Sequence, residues 1–393
     1  SGDEHTRIQQ ELVWREAGEN DSIYVAKLAK NSPYTISDPA WIGVKSAYYL
    51  VAMKPEYEHA HLWAAGNDTA YLFGLAAPRF EVAPGEAVSQ RFQLYVGPSK
   101  TEYLALAWET LPSVRRFFTM FDVMDWFAKM LLAMLNWFYG IIPNYGVAII
   151  LLTIVVRGSM LPLTLKSAKS MKSMQKLAPE MEALRAKYAD EPQELQQKMM
   201  EMYRERGVNP VGGCLPMVLQ MPIFFALYRM LMGAYELRGA PFPIVSMGDY
   251  VWIRDLSQPD HLLELSFLHD VPFIGEYLAY LNILPFLMGG AMFLNTKILP
   301  PTGPVVNPQQ KMIMNLMPVI FCVFCYNLAS GLNLYIFVST LVGIAQQAIV
   351  RSIDVESPPP KKKVARKKQH FYKAAQERKR RMVKETKSDK KSR

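Results

Sequence analysis

The sequence predicts an α-helical polytopic membrane protein with a β-rich, sandwich-type domain at its N-terminus. Three observations predict it: apolar runs of helix length occur only beyond about residue 112, the preceding stretch alternates apolar and polar residues between turn signals, and a basic tail follows the last apolar run. Half of the 393 residues are hydrophobic and a fifth are charged, and the mean hydropathy is +0.02. These values exclude a disordered chain and also a protein that is membrane from end to end. The formal net charge is +9, but residues 351–393 hold 17 Lys/Arg against 5 Asp/Glu, which leaves the rest of the chain near −3. The basic character belongs to the tail.

Residues 1–111 form the expected soluble domain. Gln90 to Val96 alternates and is closed by Gly97-Pro98, while Ala83-Pro84-Gly85 and Asn67-Asp68 supply further turns. A sandwich is preferred to a barrel. Residues 112–142 are a linker followed by an apolar helix, Asp125 to Ile142, with Trp126, Trp137 and Tyr139 toward its ends, which suits the headgroup plane of a membrane better than a crossing.

Residues 143–350 are expected to form a core of five crossings. Tyr145 to Leu163 is about 19 residues long, enough at roughly 1.5 Å each to span the ~30 Å hydrocarbon layer. The other crossings are Cys214 to about Tyr235, about Tyr280 to Asn295, Ile313 to Leu328 and Leu332 to Val350, the last two joined by the tight turn Ala329-Ser330-Gly331. The loop 166–206 carries nine Lys/Arg, whereas 237–281 offers only Arg238 and Arg254, so the basic loop faces the cytoplasm. Five crossings then place the tail inside and the N-terminal domain outside. An exported domain calls for a signal or anchor before Ser1, expected to be a further transmembrane helix.

The basic loop reads as a helical hairpin broken near Ala189-Asp190-Glu191-Pro192. Ion pairs four residues apart account for its charges. Its methionines, Met171, Met174, Met181, Met199, Met200 and Met202, exceed what a hairpin with little core needs, and suit adaptable contact with a partner. Cys214, Cys322 and Cys325 sit in apolar runs and read as small packing residues, not as a disulfide framework or zinc site.

Arg157 lies within the strongest predicted crossing, where a guanidinium costs about 2.5 to 3.5 kcal/mol. Either the side chain snorkels to the cytoplasmic headgroups or the helix faces a wet cavity. Thr153, Ser159, Gln220, Asn315, Asn327, Ser330, Asn333, Gln346 and Gln347 favour the cavity, because most would be costly against lipid. The crossings hold essentially no Asp, Glu or His besides Glu236 at one end, which disfavours an ion-driven transporter. Arginine stays protonated and only donates, so its role is electrostatic: it draws a negative or strongly polar peptide toward the bilayer.

Ile154-Val155-Val156-Arg157-Gly158-Ser159-Met160-Leu161-Pro162-Leu163, Val208-Asn209-Pro210-Val211-Gly212-Gly213-Cys214-Leu215-Pro216, Gln220 to Tyr228 and Met317-Pro318-Val319-Ile320-Phe321 closely resemble the bacterial form of the YidC/Oxa/Alb family of membrane protein insertases. The likeness covers about Asp125 to Arg351, and Trp41 to Lys45 with Tyr95 to Pro98 resembles the end of that family's periplasmic domain, here partial. It implies five helices around a hydrophilic groove with Arg157 inside it. By motif position Thr153, Met221, Phe224, Phe324 and Tyr335 line the path of a substrate helix, with Gln220 in its polar part. Ile336 stands where some relatives have a second tyrosine, and Asn327-Leu328-Ala329 replaces a more aromatic, proline-containing turn.

The resemblance further implies an inner-membrane location with the N-terminal domain periplasmic. Its implied partners are nascent membrane proteins, the lipid bilayer, the Sec translocon with its accessory proteins, the signal recognition particle pathway, and the ribosome. The ribosome would meet the hairpin and the tail cations Lys361, Lys362, Lys363, Arg366, Lys367, Lys368, Arg378, Lys379, Arg380 and Arg381, which could neutralise RNA phosphates or rest on anionic lipid. No cofactor is expected. An intramembrane protease would need a Ser/His pair, two aspartates or a His-rich metal motif at membrane depth, and no phosphate-binding Gly-rich loop occurs. His59 and His61 beside Glu56 and Glu58 read as surface polar residues.

Overall fold

The computed structural model describes residues 10–28, 33–57, 59–66, 71–118, 122–188, 191–209, 211–247, 250–265, 277–298 and 308–352. The chain divides into two compact units, residues 1–152 with 222–285 and 325–336, and residues 153–221 with 286–324 and 337–393.

The first unit opens with eight strands: β1 (Glu11–Glu16), β2 (Glu19–Tyr24), β3 (Tyr34–Ser37), β4 (Trp41–Lys45), β5 (Tyr49–Pro55), β6 (His61–Gly66), β7 (Tyr71–Ala76) and β8 (Phe92–Pro98). They form two antiparallel sheets, ordered β2-β1-β4-β5-β8 and β3-β6-β7. Leu12, Trp14 and Ile42 of the larger sheet pack with Ile36, Leu62 and Ala64 of the smaller, and the Trp14 and Tyr34 rings meet at 5.5 Å. This is a sandwich. The opposite face of the larger sheet is also covered, because Val13, Trp41, Leu50 and Ala52 bury against Leu104 and Trp108 of α1 (Thr101–Ala107) and its flank, and Leu111 and Val114 just beyond. Alternation therefore sends both sets of β1 side chains into cores, and its first four residues are all buried. The expected turn at Ala83-Pro84-Gly85 is present, with Gly85 at φ +89° and Glu86 N–H donating to Ala83 O at 3.0 Å. Asn67-Asp68 lies outside the described residues.

Helix α2 (Asp122–Ile141) replaces the expected Asp125 to Ile142 with a start three residues earlier. Asp125 fixes its entry by accepting from the backbone N–H groups of Phe117 at 2.6 Å and Phe118 at 3.2 Å. One side of α2 buries Ala128, Leu131, Leu135 and Phe138, while Val123, Trp126, Met130, Trp137 and Ile141 stay exposed. A helix apolar on both sides, with indoles outward, suits the membrane interface.

Five further helices carry the apolar runs: α3 (Tyr145–Ser159), α7 (Val211–Gly233), α8 (Leu284–Ile298), α9 (Pro308–Cys325) and α10 (Ser330–Ser352), with α4 (Leu161–Lys176), α5 (Ala178–Lys187) and α6 (Pro192–Arg206) between the first two. Among the described residues, only Ser330–Ile349 is by itself long and apolar enough to cross a membrane; α3 and α4 pass together as a pair bent by 53°. The expected unbroken crossing from Tyr145 to Leu163 is thus corrected. Pro162 cannot donate to the carbonyl of Gly158 and its ring crowds that turn, while Ser159 Oγ donates to Val156 O at 2.8 Å. The expected crossing from about Tyr280 also starts later, at Leu284, because Tyr280–Leu281 is a strand.

Within the stretch 237–281, β9 (Phe242–Met247) pairs with β10 (Tyr250–Ile253), and β11 (Leu263–Glu264) with β12 (Tyr280–Leu281). It caps helix starts. Asp260 Oδ2 accepts from Ile283 and Leu284 N–H at the head of α8, and from Trp252 Nε1 at 3.0 Å. The orphan N–H groups of Ser330 and Gly331 at the head of α10 donate to Gln258 O and Leu256 O at 2.7 and 2.9 Å.

The hairpin also departs from expectation. A break at Leu177 makes three helices, and α5 and α6 enclose a core of Leu177, Met181, Met202, Tyr203 and Val208, with Met174 and Met199 packed against it. Most of its methionines therefore serve the hairpin itself, and Tyr203 Oη donates to Met181 Sδ at 3.1 Å.

Candidate functional site

The buried polar cluster around Arg157 lies wholly in the second unit. Arg157 is in the last turn of α3 and half-buried. Its Nε donates to Ser339 Oγ at 2.7 Å, and its carbonyl accepts from Gln346 Nε2 at 3.0 Å. Ser339 and Gln346 stand seven residues apart on α10, two turns of one face, and both are buried. Gln347 Nε2 reaches Asn295 Oδ1 on α8 at 3.1 Å, leaving its own Oε1 buried without a hydrogen-bond partner. Thr153, one turn before Arg157, is fully buried. The guanidinium is thereby tied to a neighbouring helix.

The electrostatics are simple. No Asp or Glu occurs in the sequences of α3, α7, α8, α9 or α10, and the guanidinium stays positively charged beside the Ser339 hydroxyl. Such a group binds anionic or carbonyl-rich partners and moves no proton. Glu236, the acid expected at a helix end, is accounted for in the first unit. Its carboxylate takes both arms of Arg115 at 2.9 and 2.7 Å, a buried bidentate pair.

The remaining sequence-predicted residues fall into two groups. In the second unit Gln220 is half-buried, while Met221 and Phe324 are exposed, the latter by 71%. In the first unit Phe224 stacks on Tyr228 at 6.4 Å and Tyr335 is buried. Exposed Leu215, Val218, Leu219 and Phe225 on α7, and Leu316, Val319, Ile320 and Val323 on α9, are apolar surface that suits lipid, not water. The tail cations Lys361, Lys362, Lys363, Arg366, Lys367, Lys368, Arg378, Lys379, Arg380 and Arg381 lie outside the described residues.

Sequence reasoning missed Ser339 and Asn295. The signal was available for Ser339, which lies on the same heptad face as Gln346. Cys322 and Cys325 form no disulfide, and a side chain on Gly289 would meet Cys322 Cβ at 3.4 Å, so the small residues let α8 and α9 approach. The side chain of Cys214 is outside the described set. Among the described residues no group of His, Cys, Asp and Glu could hold a metal.

Comparison with known proteins adds the following. The family described as 60Kd inner membrane protein matches residues 137–357, and the family described as YidC periplasmic domain matches residues 6–133. Membrane protein insertase YidC of Syntrophobacter fumaroxidans is 38% identical over 345 residues, covering 86% of this chain and 58% of the relative. That of Pelobacter propionicus is 39% identical over 318 residues, covering 80% and 54%. The chain spans a little over half the length of these curated relatives. A solved structure of an active YidC insertase with its first transmembrane domain resolved is 20% identical at a TM-score of 0.41, covering 86% of this chain and 76% of that one.

Proposed function

The chain belongs to the YidC membrane protein insertase family, inner-membrane proteins with a periplasmic domain, and from that membership we propose that it takes nascent transmembrane segments from the cytoplasm and releases them sideways into the lipid. In this reading α3, α7, α8, α9 and α10 are five crossings around a hydrophilic groove that is open to the cytoplasm. The basic segment α4–α6 and the tail lie inside the cell and the sandwich lies outside. Thr153, Gln220, Met221, Phe224, Phe324 and Tyr335 line the path of the incoming segment.

One observation carries the reading: the Arg157 charge is held by Ser339 in helices that contain no acid. A polar tail entering a bilayer loses hydration, and a positive charge at membrane depth offsets part of that loss, most for acidic tails. No covalent step is needed. The ribosome, the Sec translocon and the signal recognition particle pathway are the proposed suppliers of clients, with the hairpin and tail cations as the ribosome contact.

The test is client insertion in cells depleted of the endogenous insertase. Arg157→Ala is expected to slow clients with acidic translocated tails most, and Arg157→Lys to be milder because it keeps the charge. Equal slowing of acidic and neutral tails would contradict the electrostatic role. Normal insertion with altered ion or lipid permeability would instead identify a channel or scramblase.

A further inference from the structure

A cavity of about 510 Å³ lies in the first unit, between β1, β4, the Arg115–Phe117 segment that leads into α2, and the last turns of α7. We propose that it is a binding site for the phosphate headgroup of an anionic phospholipid of the outer leaflet. The inference rests on the proposed orientation, which puts the end of α7 at that leaflet.

The cavity is strongly cationic. Five cations line the cavity, Lys27, Lys45, Arg115, Arg116 and Arg229, against the single carboxylate Glu11. Three of them have partners: Lys45 pairs with Glu11 at 3.4 Å, Arg115 with Glu236 at 2.7 Å, and Arg116 with Asp122. Lys27 and Arg229 have no carboxylate within ion-pair distance among the described residues. Arg229 spends its Nε on Phe117 O at 3.0 Å, which fixes its planar fork without neutralising it. Lys45 is partly buried and its ammonium is pushed below its ordinary value, by desolvation first and by Arg229 in part, with Glu11 opposing. An arriving anion would relieve that penalty.

The surroundings fit a lipid better than a free anion. Phe117, Tyr228 and Met232 give the cavity an apolar wall, and the same linker enters α2, whose exposed Trp126 and Trp137 suit the interface. A phosphodiester would meet cations on the sandwich side and apolar side chains on the α7 side.

The full chain, purified in detergent, is titrated with phosphatidylglycerol, phosphatidylcholine or soluble glycerol phosphate, and bound lipid is read by native mass spectrometry and by thermal shift. Phosphatidylglycerol should bind and stabilise in preference to phosphatidylcholine. Lys27→Gln and Arg229→Gln should each weaken that preference about fivefold. Arg79→Gln, an exposed cation of the sandwich domain outside the cavity, should leave it unchanged. Lys27 is exposed, so its variant remains informative even if Arg229→Gln fails to fold. Equal stabilisation by the two lipids, or no effect of either variant, would overturn the proposal. Glycerol phosphate matching phosphatidylglycerol would show a plain anion site and overturn the lipid assignment. Normal client insertion by Arg157→Ala with the lipid preference intact would count against the insertase reading alone, so the two failures are distinguishable.

Discussion

Ala17 and Gly18 close the β1–β2 hairpin with φ of +49° and +89°, a two-residue turn with both residues left-handed. Alanine is strained there, whereas asparagine tolerates the conformation. Ala17→Asn is therefore expected to stabilise the sandwich by roughly 0.5 to 1 kcal/mol, read as an upward shift in thermal unfolding. The Arg115–Glu236 pair works in the opposite sense: Arg115→Ala or Glu236→Ala leaves a buried charge unmatched and should cost about 3 to 5 kcal/mol. Replacing both by apolar residues of similar size should recover most of it, and unfolding in detergent distinguishes the cases. At this scale Arg157 was legible because a guanidinium in an apolar run has no cheap explanation. Ser339 was overlooked although it shares a heptad face with Gln346, since a serine hydroxyl in a helix can satisfy itself on its own backbone and draws little attention.

Helix existence was read well and helix boundaries less so, for identifiable reasons. Gly158, Ser159 and Pro162 bend the first apolar run, and composition averaged over 19 residues hides a local break. The strands β9 to β12 are short and irregular, with a register shift between Val251 and Ile253, too little alternation to register as periodicity. The methionines of the hairpin were visible, but their destination was not, because only the folded α5–α6 pair shows that Met181 faces Tyr203 and Met202. Met181→Ala should cost roughly 2 to 5 kcal/mol locally and accelerate amide exchange in α5 and α6 while leaving the sandwich amides unchanged. Uniform acceleration across the chain would show instead that the hairpin is not an independent cooperative element.

On the scale of the whole chain, the division into an alternating stretch, an apolar helical stretch and a basic tail was legible from composition alone, and the family matches change over between residues 133 and 137. The double coverage of the larger sheet was not legible, because the burial of both faces of β1 depends on α1, which lies over 80 residues later in the chain. Deleting residues 361–393 should reduce ribosome co-sedimentation severalfold at low salt, and the intact chain should lose binding steeply as salt rises, roughly in proportion to the phosphates neutralised. Unchanged co-sedimentation would remove the tail from the ribosome contact.

The Arg115–Glu236 clasp has a mechanical consequence. It joins positions 121 residues apart, so tension applied to the soluble lobe is handed directly to the end of α7, bypassing the intervening linker and α2. The fold contains a shortcut for force, and a tug on the lobe would be felt first by the helix that carries Met221 and Phe224.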